Sequence, residues 1–258
     1  MTDSISTKSG RPWRISFFTI MAGILLLLVV AGFVPTLYAR PLFDVPSIPL
    51  YLYLHGIVLS GWFAWFLAQS LLISAGAVAN HRRIGMWGAV FGVLVVAAAL
   101  MATLGSVSRA TSRGLDLGAD ASVFGIGVSG VTVNAFLSGV VWANFGSALC
   151  FAILLTVAVV LRRRPESHKR LMLLASISII GPALARIARW SVFGGEQGPF
   201  IPVVFWSLLL LVAGHDLWSR KRLHATSVLG ILFIGIVKQG AGVVGRSDIG
   251  QTLVRALG

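Results

Sequence analysis

Five histidines stand out in a chain otherwise poor in ionisable side chains: His55, His81, His168, His215 and His224. Imidazole binds metals and haem iron in its neutral form and exchanges protons near neutral pH. His81 opens the block His81-Arg82-Arg83-Ile84-Gly85, and His168 opens His168-Lys169-Arg170-Leu171-Met172. His215 is followed by Asp216, four residues before Arg220, the spacing of a helix-end ion pair. His168 sits at a helix start, where the positive end of the helix dipole disfavours imidazolium and leaves the neutral ring that iron needs. Two of His81, His168 and His215 would suffice as axial ligands of one haem b. The competing reading of each is an interfacial histidine that caps a helix or meets lipid headgroups.

A second set lies on helix faces. His55, Trp62 and Gln69 recur at intervals of seven and share one face of a helix. Arg186 follows His168 by 18 positions, five whole turns, so those two share a face as well. With Asn134, these residues make a candidate ligand pocket of His55, Trp62, Gln69, Asn134 and Arg186, suited to an anionic or quinone-like molecule. Lys238 offers a further cation. Arginines near span ends also snorkel to headgroups, and Arg189 reads that way. His55 and His81 are 26 positions apart, about 39 Å of helix, and cannot share one ion. There is no His-Glu-x-x-His pattern, no Gly-x-Ser-x-Gly elbow and no phosphate-binding glycine loop. No catalytic residue and no metal centre is assigned on this reading, and enzymatic activity stays open.

The elements that position these residues follow from composition. Of 258 residues 57% are hydrophobic and 11% charged, against about a quarter charged in soluble domains. Such a chain suits lipid rather than water. Seven apolar stretches approach the roughly 20 residues a spanning helix needs: about Ile15–Tyr38, Leu50–Ala77, Met86–Ser106, Val131–Leu161, Leu171–Trp190, Ile201–Trp218 and Ala225–Val243. The expected fold is an all-α polytopic transmembrane bundle in one domain, residues 1–258. The seventh stretch is the weakest, since it carries Lys238, Gln239 and several glycines. Pro182, after Gly181, is expected to kink the fifth. Residues 245–258 suit a short amphipathic helix at the membrane surface. The first stretch is too long for a signal peptide and lacks a small-residue cleavage site, so it is expected to be retained.

The net charge of +13 gathers in short clusters between the apolar stretches, which points away from nucleic acid. With the N-terminus (residues 1–14) in the cytoplasm, Lys8, Arg11, Arg14, Arg82, Arg83, Arg162, Arg163, Arg164, Lys169, Arg170, Arg220, Lys221 and Arg222 all lie inside. The short outer loops then hold only Arg40, Arg109 and Arg113. His81, His168, His215 and His224 gather at the inner level, and His55 stands alone in the outer half. The single Cys150, within an apolar stretch, reads as a packing residue.

The two histidine blocks, with His55, Gln69, Trp142, the basic run Arg162 to Arg164 and Arg186, resemble a family of uncharacterised bacterial multi-pass inner-membrane proteins. Its pattern is a helix with an early His, then HRxxG, a basic loop, and an HxRxM helix ending in Arg. The match covers roughly residues 50 to 190, and Asp216, Arg220 and His224 extend it. The resemblance implies a helical bundle in the bacterial inner membrane. More loosely, such chains are similar to b-type cytochromes and oxidase-assembly membrane factors. Two functions are therefore expected to compete. One is an accessory or small-ligand- or lipid-binding membrane protein, and the other is a redox protein holding one haem b at the inner histidines. The expected partners are the lipid bilayer, a small hydrophobic or anionic ligand, and a membrane-complex partner.

Overall fold

The computed structural model describes residues 15–43, 45, 47–124, 130–190 and 199–258. The basic residues Lys8, Arg11 and Arg14 lie outside these. Helix α1 (Phe17–Phe33) begins where the Ser16 side chain accepts the Thr19 amide, and continues into a π-helical turn, Val34–Tyr38. Then follow α2 (Leu50–Ser74), α3 (Val78–Thr111), α4 (Val133–Val160), α5 (Pro165–Ser178), α6 (Gly181–Ile187), α7 (Phe200–Arg220), α8 (Ala225–Arg246) and α9 (Asp248–Arg255). Six helices are long and apolar enough to cross a membrane, and the bent pair α5–α6 makes a seventh crossing if counted as one span. The protein is thus an all-α, multi-pass membrane bundle.

The weak point of the series is the fifth span, not the seventh. Helix α8 runs unbroken for 22 residues. Lys238 is tolerated within it because its ammonium donates to Ser147 Oγ at 2.5 Å and lies 5.2 Å from the Phe205 ring centroid. The fifth span breaks at Ile179–Ile180 and bends by 47°, just ahead of Gly181-Pro182. Proline has no amide to continue the ladder, and its ring crowds the preceding turn. Around the break, Ser178 Oγ and Ser176 Oγ donate to the carbonyls of Ala175 and Met172.

A broken helix survives in a bilayer only where protein surrounds it, and residues 173–180 are all buried. The surrounding wall is α1, α4, α7 and α8, each packed against α5 or α6. Helix α1 comes so close to α6 that a Cβ on Gly32 would lie 2.6 Å from the Ala183 carbonyl oxygen. Side chains such as Leu27, Ile57, Trp87, Val93, Leu210 and Ile236 face outward, as a lipid-facing surface requires. Helix α3 has 34 residues, about 51 Å of rise, and its first turns extend past the apolar stretch to carry His81. Helix α9 is capped by Ser247 and lies across the far end of α4, with Val254 buried beside Val107, Val133 and Leu137. Its Ile249 and Leu253 are exposed, one turn apart.

Candidate functional site

The end of the bundle carrying Arg82, Arg83 and Arg162 to Arg164, here called the basic end, holds a buried ion network. Arg170 and Asp216 are 1% and 0% exposed. Arg170 sits on the second turn of α5 and donates to Asp216 Oδ1 on α7 through both Nε and Nη2. Its Nη1 donates to Glu166 Oε2 at 2.8 Å. Arg220 meets the same Glu166 oxygen at 3.0 Å, and Lys169 meets Oε1 at 2.6 Å. The other oxygen of Asp216 accepts Ser227 Oγ at 2.6 Å and the His224 amide at 3.2 Å. The expected Asp216–Arg220 pair along one helix is therefore replaced by pairs between helices. Together these bonds lock α5, α7 and α8 at one level. His224 caps α8, its Nδ1 accepting the Thr226 amide. Burial and the nearby Arg170 and Arg220 push the His224 ring below its ordinary pKa.

His81 and His168 come together beside this network. Their ring centroids are 6.3 Å apart, with the planes at 71°. The His168 Nδ1 lies 2.8 Å from the Ala158 carbonyl. A carbonyl only accepts, so Nδ1 carries the hydrogen and the neutral ring keeps its lone pair on Nε2. The His81 Nδ1 is buried with no partner. Gln69, on the last turns of α2, is also here: its carbonyl lies beside the His81 ring. Its side-chain Oε1 lies over Gly85, 3.4 Å from where a Cβ would stand. His81 and Gly85 are one turn apart on α3, so the HRxxG spacing sets an imidazole and a bare patch of backbone against the Gln69 amide. Both polar atoms of that amide, Nε2 and Oε1, are buried without a partner.

His215 does not join them. Its ring stacks on Phe17 at 4.1 Å, in a groove of about 560 Å³ between α1 and α7. Among the described residues, no three His, Cys, Asp or Glu side chains converge to hold a metal ion.

The five-residue pocket expected from helix faces is spread over four places. Trp62 is fully buried at mid-height; its Nε1 donates to Ser176 Oγ at 3.1 Å and its indole meets the Phe151 ring edge-on. Gln69 lies about 21 Å along α2 from His55, at the basic end. Asn134 turns to α9, its Nδ2 3.3 Å from the Gln251 carbonyl. His55 and Arg186 share the opposite end. The His55 Nδ1 lies 3.0 Å from the Ala98 carbonyl, and the ring is within electrostatic reach of Arg186 and Arg109. The Arg186 guanidinium lies 4.3 Å from the Phe33 centroid, inside the bundle, whereas Arg189 is exposed.

Sequence reasoning missed Ser176, Ser227, Phe33 and Thr36. Serine and phenylalanine are too common in spans for spacing alone to single them out. Compared with known protein families, curated proteins and solved structures, the chain matches none.

Proposed function

We propose that the protein is a membrane-embedded small-ligand-binding protein, with its site at the basic end between α2, α3 and α5, framed by Gln69, His81 and His168. The observation that carries this reading is the Gln69 side-chain amide, whose Nε2 and Oε1 are both buried without a partner beside the His81 ring. An unpaired buried amide group costs about 1–3 kcal/mol by protein mutational data. A ligand whose head group both donates and accepts hydrogen bonds would satisfy the amide, and the His168 Nε2 lone pair offers a further acceptor. The setting we propose is the bacterial inner membrane, basic end inward, in keeping with the positive-inside bias and the family resemblance.

Native mass spectrometry of protein released from mild detergent tests the reading. A non-phospholipid adduct should be retained by the wild type and lost in Gln69→Leu and His81→Ala. An adduct-free wild type, with Gln69→Leu simply raising the unfolding temperature, would leave the amide as an internal burden and sink the proposal.

One observation favours haem b as the second reading: the His81 and His168 rings, on α3 and α5, come within 6.3 Å of each other, centroid to centroid, and would be the residues to hold its iron. His215 is no alternative ligand in this geometry. Oxidised and reduced absorption spectra of protein expressed with ample haem separate the readings. A Soret band lost in either histidine variant supports haem; its absence leaves the ligand reading alone.

A further inference from the structure

We propose a second site at the end of the bundle opposite the basic network, binding an anionic group, carboxylate or phosphate, through Arg186 with Thr36, beside His55. It does not depend on what occupies the Gln69 patch.

Arg186 carries five N–H donors. Its one hydrogen bond among the described residues goes from Nη1 to the Pro182 carbonyl, at 3.0 Å. Its Nε is buried without a partner. The side chain does not snorkel, because its guanidinium lies over Phe33 on α1. No described carboxylate serves it. The ion pairs among the described residues all use Glu166 or Asp216 at the other end. Asp116 and Asp120 accept amides of their own loop, from Gly118 and from Ser122 and Gly130. A guanidinium at this depth without an anion marks a functional site by default.

The neighbours suit an anion. Helices α1 and α6 ascend in the same direction, and Gly32 lies against Ala183. One turn further, Thr36 falls level with Arg186, and Thr36 Oγ1 is buried with no partner. From α2, His55 holds the Ala98 carbonyl through Nδ1–H, which leaves Nε2 as an acceptor, able to take the remaining proton of a hydrogen phosphate or phosphomonoester but not to donate to an anionic oxygen. Of the other guanidiniums nearby, Arg109 donates to Tyr51 Oη at 2.6 Å and the Ala102 carbonyl at 2.9 Å, Arg40 donates to the Thr36 carbonyl at 2.9 Å, and Arg189 lies within electrostatic reach of Arg186, so all three add positive field. The 47° break between α5 and α6 sets this last turn at an angle to the rest of the span. Broken helices in membrane proteins line binding cavities.

The anion could come from a lipid headgroup or from solution, and one experiment separates the sources. The protein is placed in phosphatidylcholine nanodiscs, and its unfolding midpoint is followed during titration with sodium phosphate or sodium benzoate at constant ionic strength. In parallel, native mass spectrometry scores retention of phosphatidylglycerol. A midpoint that rises with a free anion, with at least tenfold weaker response in Arg186→Gln, assigns a soluble anion. Retention of phosphatidylglycerol that falls at least tenfold in Arg186→Gln, without a free-anion response, assigns a headgroup. Thr36→Val, which keeps every charge, should weaken whichever response is seen by several-fold. It also serves as the test if Arg186→Gln does not fold. Equal responses in wild type and Thr36→Val, and in any Arg186 variant that folds, would overturn the proposal.

Discussion

At the scale of single residues, the two ends of the bundle treat charge in opposite ways. At the basic end Arg170 and Asp216 satisfy each other in the interior, and nearly every donor and acceptor around them is used. Breaking one side of such a pair strands the other. Asp216→Ala is expected to destabilise the protein by about 3–5 kcal/mol, read as a lowered unfolding temperature in detergent. The double change Arg170→Met with Asp216→Leu should recover much of that loss, since a packed apolar pair removes both desolvation penalties. Cys150 is fully buried between α4 and its neighbours. Maleimide should label it only after denaturation, and rapid labelling of the folded protein would contradict the packing described here.

At the scale of elements, helix ends and crossings decide what the side chains can reach. His224 caps α8 with a lone pair on Nδ1, so protonation removes the cap. Its folded pKa is lowered, first by burial and then by Arg170 and Arg220. The folded state therefore binds fewer protons than the unfolded state. The stability contributed is fully present above the unfolded value, about 6.5, and is lost as the pH falls through that value toward the lower folded one. His224→Asn keeps a capping side chain without titrating. Its unfolding temperature should fall less than that of the wild type between neutral and mildly acidic pH, and parallel curves would rule the cap out as the cause. In the far loop, the Ser122 hydroxyl, then the Ser122 and Gly130 amides, hold the Asp120 carboxyl below its ordinary range. That loop contact should persist until the pH drops below the usual carboxylate pKa. At the α1–α6 crossing, Gly32→Ala puts a methyl into the Ala183 carbonyl. Overpacking of this kind costs about 1–3 kcal/mol. Because α6 carries Arg186, the same change should weaken the anion response described above.

At the scale of the whole molecule, a long, largely buried broken span is ringed by straight ones. The first, second, third, fourth, sixth and seventh crossings were legible because each is an apolar stretch of spanning length bounded by charge or turn residues. The break in the fifth was legible too, from Gly181-Pro182, since proline acts through its own ring whatever surrounds it. The grouping of His81, His168 and His215 at one level follows from counting turns. Which of them meet does not, because depth says nothing of rotation about each helix axis. Packing turned His215 outward onto Phe17 and brought His81 to His168. The same limit explains Gln69. Its interval of seven from His55 and Trp62 places all three on one face, but a face about 21 Å long meets different partners at each height: Arg186 and Ala98, then Ser176, then the imidazole pair. By itself, then, the sequence determined the class of the protein, its crossings, the break in the fifth and the shared level of His81, His168 and His215. These depend on local periodicity and transfer from water to lipid. Only the tertiary structure decided which groups converge, that Asp216 belongs to Arg170 rather than Arg220, and which buried atoms are left without partners. Those outcomes depend on the relative rotation and register of helices distant in the chain.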